Sequence, residues 1–433
     1  MSISLSHLTQ LIKGEIQITS SKSESNRALI IQALCSENFE IINLAQAQDT
    51  LVLKNILNTI QHNHAQNILD VGLSGTAMRF LTAYLATQKG EWILTGSSRM
   101  KERPIRLLVT ALQKLGANIQ YLEKDGFPPL KIKGNQLLGG KIKIDGSVSS
   151  QFISALLMIA PKLKNGLQLD FTGELTSKPY IEMTINMMRN YGASVEWKNN
   201  LITVNNGNYK AKDVYVEADW SSASYWYSMV ALAKEAKITL IGLKQNSLQG
   251  DAVVAKIYEN FGVKTEFIKN GICLSKISDF RLPTSDFVFN FNNCPDLAQT
   301  VAVTCAALNV SVRLAGLHTL RIKETDRILA LQTELCKLGY NVEVEGDDLI
   351  ILSSLRTEQG GVRKSAIINE IASLRCTSLA MTNTIKTYND HRMAMAFAPL
   401  ALLYPITIEN PDVVIKSYPN FWKDLERVGF VIE

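Results

Sequence analysis

No stretch of the chain approaches the roughly 20 consecutive apolar residues that a membrane-spanning helix needs, and mean hydropathy is only +0.04. Met1 to Leu8 lack a basic region followed by an apolar run, so no cleaved leader is expected and the chain is assigned to the cytoplasm. Six cysteines, at 35, 273, 294, 305, 336 and 376, contain no C-x-x-C pair, which leaves buried free thiols in a reducing compartment. Of five histidines, at 7, 62, 64, 318 and 391, only His62 and His64 are close together, and no metal site is expected. No G-x-G-x-x-G follows a strand, and Gly72-Leu73-Ser74-Gly75-Thr76 lacks the lysine and spacing of a P-loop, which argues against a nucleotide cofactor. Charge of one sign is missing too: 45 basic and 40 acidic residues leave a net +5, so a nucleic-acid partner is not required.

What is present is a soluble globular composition, 46% hydrophobic and 20% charged over 433 residues, enough for two or three domains. The most informative stretch is Ser20-Ser21-Lys22-Ser23-Glu24-Ser25-Asn26-Arg27, a polar corner between the strand-like Glu15 to Thr19 and the helical Ala28 to Leu34. Ser21 with Glu24 has the form of a capping box, so first-turn N–H groups, Lys22 and Arg27 would face one spot suited to an anion. An ordinary capped helix with solvated charges accounts for this stretch equally well when it is taken alone.

The arrangement recurs. Further corners occur at Gly72 to Thr76, Asp145 to Gln151, Glu217 to Ser222, Asn292 to Asp296 and Tyr388 to Arg392, each after a strand and before an Ala-rich helix. First helices start near 22, 75, 149, 221, 295 and 391, and second helices near 50, 104, 179, 251, 325 and 419, giving offsets of 28 to 30 residues within every unit. Most second helices end at a glycine that leads into an alternating strand and a hairpin, as at Tyr191-Gly192-Ala193-Ser194-Val195. The unit is βαβαββ, present six times, with the first copy short of its hairpin and the fifth carrying extra chain around Arg356 to Ser378. Alternating βα units of this size close into compact α/β domains rather than an open solenoid, and an even division puts the crossing near Asp219.

Cations gather near these helix starts: Lys22 and Arg27; Arg79; Arg99, Lys101, Arg103 and Arg106; Arg321, Lys323 and Arg327; Arg392; Lys416. Glu24, Asp219, Asp296, Glu324, Asp326 and Asp390 are the main carboxylates beside them. Such a set suits a small ligand with several negative charges, because arginines and helix starts hold carboxylate and phosphate well. Glu324, between Lys323 and Thr325 and three residues before Arg327, is the acid–base candidate. His391, between Asp390 and Arg392, fits either a general base or a structural histidine.

Taken together, Ser21-Lys22-Ser23-x-Ser25-Asn26-Arg27, Gly75-Thr76-Ala77-Met78-Arg79, Met100 to Ile105, Gly146 to Gln151, Ser177-Lys178-Pro179-Tyr180, Pro295-Asp296, Arg321 to Arg327 and Asn389 to Met395 resemble the 5-enolpyruvylshikimate-3-phosphate synthase family of enolpyruvyl transferases. The resemblance runs from about Gly14 to Phe421. It implies an α/β (α+β) fold of two domains, each of three βαβαββ repeats in an inside-out α/β barrel arrangement, with the active site in the interdomain cleft. The first domain would span 20–218 on the shikimate 3-phosphate side, and the second 1–19 with 219–433, completing the phosphoenolpyruvate site. It further implies that Ser23, Arg27, Ser149, Ser150, Gln151, Ser177 and Tyr180 hold shikimate 3-phosphate, with Asp296 and Lys323 at its attacking hydroxyl. Lys22, Gly75, Arg103, Gln151, Arg327, Arg392 and Lys416 would hold phosphoenolpyruvate. Lys22, Asp296 and Glu324 would be catalytic, transferring the enolpyruvyl group to the 5-hydroxyl with loss of phosphate through a tetrahedral adduct, in aromatic amino-acid biosynthesis. No cofactor and no metal are implied, and a monomer acting on small molecules, without nucleic acid or membrane, is expected.

Three positions depart from the family pattern: Leu73-Ser74 where Asn-Ala is common, Phe80 where proline is common, and Thr319-Leu320 where Asn-Trp is common. The related transferase acting on a UDP-amino sugar would carry a reactive cysteine in the segment Arg99 to Pro104, which has none. A non-catalytic phosphometabolite-binding protein would keep the arginines but could lose Asp296 and Glu324, and an RNA-processing relative would need a longer basic face.

Overall fold

The computed structural model describes residues 1–62, 67–147, 149–282, 286–353 and 383–433. His64, Val148 of the third corner, Cys376 and the extra chain expected around Arg356 to Ser378 lie outside them. The chain forms two compact units. One comprises 20–217 and 248–250 and is called here the Arg27 unit; the other comprises 1–19, 218–247 and 251–433 and is called the Arg327 unit.

Each unit contains three sheets among the described residues, and five of the six sheets have four strands. Their order repeats. Gly140–Asp145 lies parallel to Leu167–Thr172, with Ile142 opposite Leu169. Leu201–Val204 is antiparallel to the second of these, and Val195–Lys198 is antiparallel to Leu201–Val204. A parallel pair needs a crossover, here the helix Ser150–Ile159, and the hairpin follows the second helix, Lys178–Asn190. This is the βαβαββ unit expected from the spacing. The short first copy is borne out as well: among the described residues Ile41–Ile42 pairs only with Val214–Tyr215.

Some pairings do not follow chain order. Leu11–Gln17 precedes the helix Lys22–Leu34 but pairs in parallel with Glu235–Ile241 in the Arg327 unit. Val214–Tyr215 precedes Trp220–Leu232 yet lies beside Ile41–Ile42 in the Arg27 unit. The terminal sheet is completed by Ser2–Ser6, inserted antiparallel between Ile406–Glu409 and Val431–Ile432. It occupies the inner position that a hairpin strand fills in the other four-stranded sheets.

The first helix of each repeat is buried on nearly every face. All twelve residues of Gly75–Ala86 are buried, as are all seven of His391–Phe397. Their sequences are mostly apolar beyond the first turn, which suits a helix enclosed by other elements, whereas second helices such as Arg106–Lys114 bury one stripe, Leu108, Val109, Ala111 and Leu112. Helices thus form the centre of each unit, with sheets outside. No helix among the described residues is long and apolar enough to cross a membrane. Cys35, Cys273, Cys294 and Cys305 are free thiols as expected.

Candidate active site

In the Arg27 unit, Ser21 starts the helix Lys22–Leu34 and accepts the Glu24 N–H at 3.4 Å. Only this half of the capping box forms in the expected way. The Ser21 N–H donates to the Glu217 carbonyl at 2.8 Å, while the Glu24 carboxylate accepts from the Glu217 N–H and from Gln249. One turn later Arg27 is 2% exposed. Its guanidinium donates to Thr184 Oγ1 at 2.7 Å, the Ser23 carbonyl at 2.8 Å, Ser154 Oγ at 3.1 Å and the Tyr180 carbonyl at 3.3 Å. These partners are neutral. Burial pulls the Arg27 pKa down to about 10, against the opposing influence of Tyr180 and Glu24. Phe80, one of the departures from the family pattern, lies under this guanidinium at 5.6 Å from the ring centre.

Lys22 pairs with Asp49 at 3.1 Å. Asp49 stands in the first turn of Gln48–His62, the helix beginning two residues before the start near 50 that the spacing suggested.

The second corner is built around a missing side chain. A Cβ on Gly75 would lie 2.6 Å from both the Arg103 and the Arg79 guanidinium, so only glycine lets the two cations approach the start of Gly75–Ala86. Arg103 is buried, and its Nε has no partner among the described residues. By contrast Arg99, Lys101 and Arg106 pair with the exposed Glu102, Glu123 and Asp125 and belong to the solvated surface. Ser74 caps this helix through Ala77 N–H at 3.3 Å, giving that departure from the family pattern a structural use. Gln151 donates to Thr76 Oγ1 at 3.0 Å, Ser149 caps Ser150–Ile159, and Ser177 starts Lys178–Asn190 in a left-handed conformation with φ 52°. Gly75, Arg103 and Gln151 therefore share one corner, while Ser23, Arg27 and Tyr180 share another.

The Arg327 unit gathers its residues differently. Arg327 is 2% exposed and ion-paired with three carboxylates: Asp390 at 2.7 Å, Glu324 at 3.1 Å and Asp296 at 3.2 Å. Burial works against its charge, but Asp390, Glu324 and Asp296 outweigh that and hold its pKa above the ordinary arginine value. Arg392 reaches Asp296 at 2.8 Å and donates to Tyr225 Oη at 3.3 Å, and Lys416 pairs with the other oxygen of Glu324. Asp390 is fully buried and also caps the helix His391–Phe397 by accepting the Arg392 N–H. Of the sequence candidates, Asp296, Glu324, Arg327, Arg392 and Lys416 are thus one connected network. Lys323 flanks it immediately after the helical turn His318–Ile322.

Asp251 stands beside this network. It accepts a short bond from Ser221, and burial together with the nearby Asp296 pushes its pKa up to about 7. Sequence reading noted Asp390 among the corner carboxylates but gave it no role, and it missed Asp251 and Tyr225. Thr184 and Ser154, the hydroxyl partners of Arg27, lie 157 and 127 residues from it, a separation no local pattern reports.

Comparison with known proteins points to one family. Residues 8–425 fit the model for EPSP synthase (3-phosphoshikimate 1-carboxyvinyltransferase). A 3-phosphoshikimate 1-carboxyvinyltransferase of Bacteroides fragilis is 46% identical over 431 residues, covering 98% of this chain and 97% of the relative. The protein of that name from Actinobacillus pleuropneumoniae is 37% identical over 446 aligned positions, covering 96% and 97% respectively. In fold, the chain is similar to a solved EPSP synthase structure from Acinetobacter baumannii, with a TM-score of 0.75 at 22% identity, covering 100% of this chain and 99% of that one.

Proposed function

The chain belongs to the EPSP synthase family, and from that premise we propose that it transfers the enolpyruvyl group of phosphoenolpyruvate to the 5-hydroxyl of shikimate 3-phosphate, with its residues sharing the work as follows. Arg27, Ser23, Ser149, Ser150, Gln151, Ser177 and Tyr180 hold shikimate 3-phosphate: hydroxyls and an amide suit a polyol, and a buried arginine on neutral partners has charge to offer a phosphate. Gly75, Arg103, Gln151, Arg327, Arg392 and Lys416 hold phosphoenolpyruvate. Lys22 takes the phosphate oxygen that becomes the leaving group.

The observation that carries the chemistry is the network in which Arg327, Arg392 and Lys416 are shared among Asp296, Glu324 and Asp390. Anion-holding cations and proton-transfer groups stand together in it. When substrate anions take up Arg327 and Lys416, Glu324 loses its cations, and a carboxyl so released holds a proton more readily. Asp296, with Lys323 beside the hydroxyl, accepts the 5-hydroxyl proton as its oxygen attacks the central carbon of phosphoenolpyruvate. Glu324 protonates the methylene carbon. The tetrahedral adduct then returns that proton to Glu324 as the C–O bond to phosphate breaks, and the departing phosphate takes up the proton that Asp296 received from the hydroxyl. Preplaced cations stabilise the charge that develops on the departing phosphate. The enzyme is proposed to act as a monomer in the cytoplasm, on these small molecules alone and without a cofactor.

The test is direct. Incubated with shikimate 3-phosphate and phosphoenolpyruvate, the protein releases inorganic phosphate in an amount equal to the enolpyruvyl product. Binding of both substrates without phosphate release would overturn the assignment of transfer and leave a binding protein.

A further inference from the structure

We propose that Glu334 is a positioning residue for this reaction, fixing from behind the corner that brings Asp390 and Arg392 to Arg327. The inference rests on the roles assigned above to Arg327 and Arg392.

Glu334 lies on the helix Arg327–Lys337, two turns beyond Arg327, and is fully buried. A buried carboxylate must be paired and hydrogen-bonded to be tolerated. Its Oε1 accepts from Tyr388 Oη at 2.6 Å, and its Oε2 accepts from the Lys386 backbone N–H at 3.1 Å and pairs with Lys337 at 2.5 Å. Two of these bonds go to the segment that enters the Asn389-Asp390-His391-Arg392 corner. That segment is strained: Tyr388 and Asn389 both have left-handed backbones, with φ of 53° and 56°. A tyrosine adopts that region only when its surroundings hold it there. Glu334 holds it on both sides, through the Lys386 N–H and Tyr388 Oη.

The strained pair turns the chain so that the next residue, Asp390, meets Arg327 through both carboxylate oxygens and accepts the Arg392 N–H. The helix and the corner are therefore tied at both ends, by Glu334 to Lys386 and Tyr388, and by Arg327 to Asp390. A second tie leads to Lys416: Asn410 donates to the Asn389 side chain at 2.7 Å and starts the helical turn Pro411–Lys416. Glu334 itself touches none of the groups assigned to substrate. Its influence has to pass through the placement of Arg327, Arg392 and Lys416, all on the phosphoenolpyruvate side.

The experiment uses the whole chain. Phosphate release by the parent enzyme comes first; its failure would sink the assigned reaction and leave the hydrogen-bonded corner to be judged by binding alone. Tyr388→Phe, Glu334→Gln and Lys337→Ala are then compared for kcat, for KM toward phosphoenolpyruvate, for the Kd of shikimate 3-phosphate and for Tm. Tyr388→Phe and Glu334→Gln are expected to raise KM for phosphoenolpyruvate about 10-fold, with the shikimate 3-phosphate Kd held within about twofold. Lys337→Ala removes the ion pair but not the ties to the corner, so it lowers Tm and leaves that KM within about twofold. If Glu334→Gln does not fold, Tyr388→Phe carries the test. An unchanged KM in a folded Tyr388→Phe enzyme, or equal weakening toward both substrates, would show that Glu334 serves stability only.

Discussion

Arg27 and Arg327 are both buried guanidinium groups near helix starts, each 2% exposed, and they are held in opposite ways. Arg27 rests on hydroxyls and carbonyls, with no carboxylate paired to it among the described residues, and burial lowers its pKa to about 10. Arg327 is surrounded by three carboxylates that raise its pKa despite burial. The first arrangement keeps a cation open to an incoming anion. The second balances its cations internally, so that an anion must take them from Asp296 and Glu324, and in doing so changes the protonation of the groups assigned to catalysis. On the proposed assignments, one arginine serves to bind and the other to couple binding to proton transfer.

The sharpest way to break this contrast is at Glu324. Glu324→Gln keeps the size of the side chain and removes its acid–base chemistry, so kcat is expected to fall by about 10²- to 10⁴-fold, with shikimate 3-phosphate binding retained. An unchanged kcat under single-turnover conditions would end its role.

The two arginines themselves give the next largest effects. Arg327→Met strands Asp390, which is fully buried, and should destabilise the fold by about 3–5 kcal/mol in urea unfolding. Arg27→Met leaves a neutral set that can satisfy itself, because Ser154 and Thr184 are 2.8 Å apart and Thr184 donates to the Tyr180 carbonyl at 2.8 Å. Its stability should change by no more than about 1 kcal/mol, while shikimate 3-phosphate binding weakens by roughly 100-fold. Equal losses of stability in the two variants would erase the distinction.

Asp251 sharpens the picture of the Arg327 unit as a place where carboxylates are crowded. Its pKa is raised by the fold from 3.8 to about 7, first by burial and then by Asp296. Its contribution to stability is therefore intact below the unfolded value and is lost as pH rises through the folded one. Asp251→Asn should gain on the parent by about 1.4 kcal/mol per pH unit between roughly pH 4 and pH 7, and by nothing further at higher pH. Denaturant midpoints at pH 4.5, 6 and 8 read this directly; a difference that does not vary with pH would show that Asp251 is not titrating there.

Much of the site was legible because helix starts are written locally. Ser21, Ser74, Ser149, Asp219, Asp326 and Asp390 all cap helices through their own side chains. Each is a short polar residue just before an apolar run, which is the signal the corners were read from. The partners across the network were not legible. Asp296 meets Arg327 and Arg392 across 31 and 96 residues, and Glu334 meets Tyr388 across 54. The strained Tyr388–Asn389 pair has no glycine to announce it.

The sequence by itself determined the repeating unit, its helix starts and the side chains that stand at them, because periodicity, capping and turn chemistry act over a few residues. Tertiary structure alone decided which repeats exchange strands, so that Leu11–Gln17 serves the sheet of Glu235–Ile241 and Ser2–Ser6 completes the last one. It also decided which cations stand on hydroxyls and which on carboxylates. Those choices depend on burial and on contacts between residues far apart in the chain, and desolvation makes the identity of each partner matter where water is excluded.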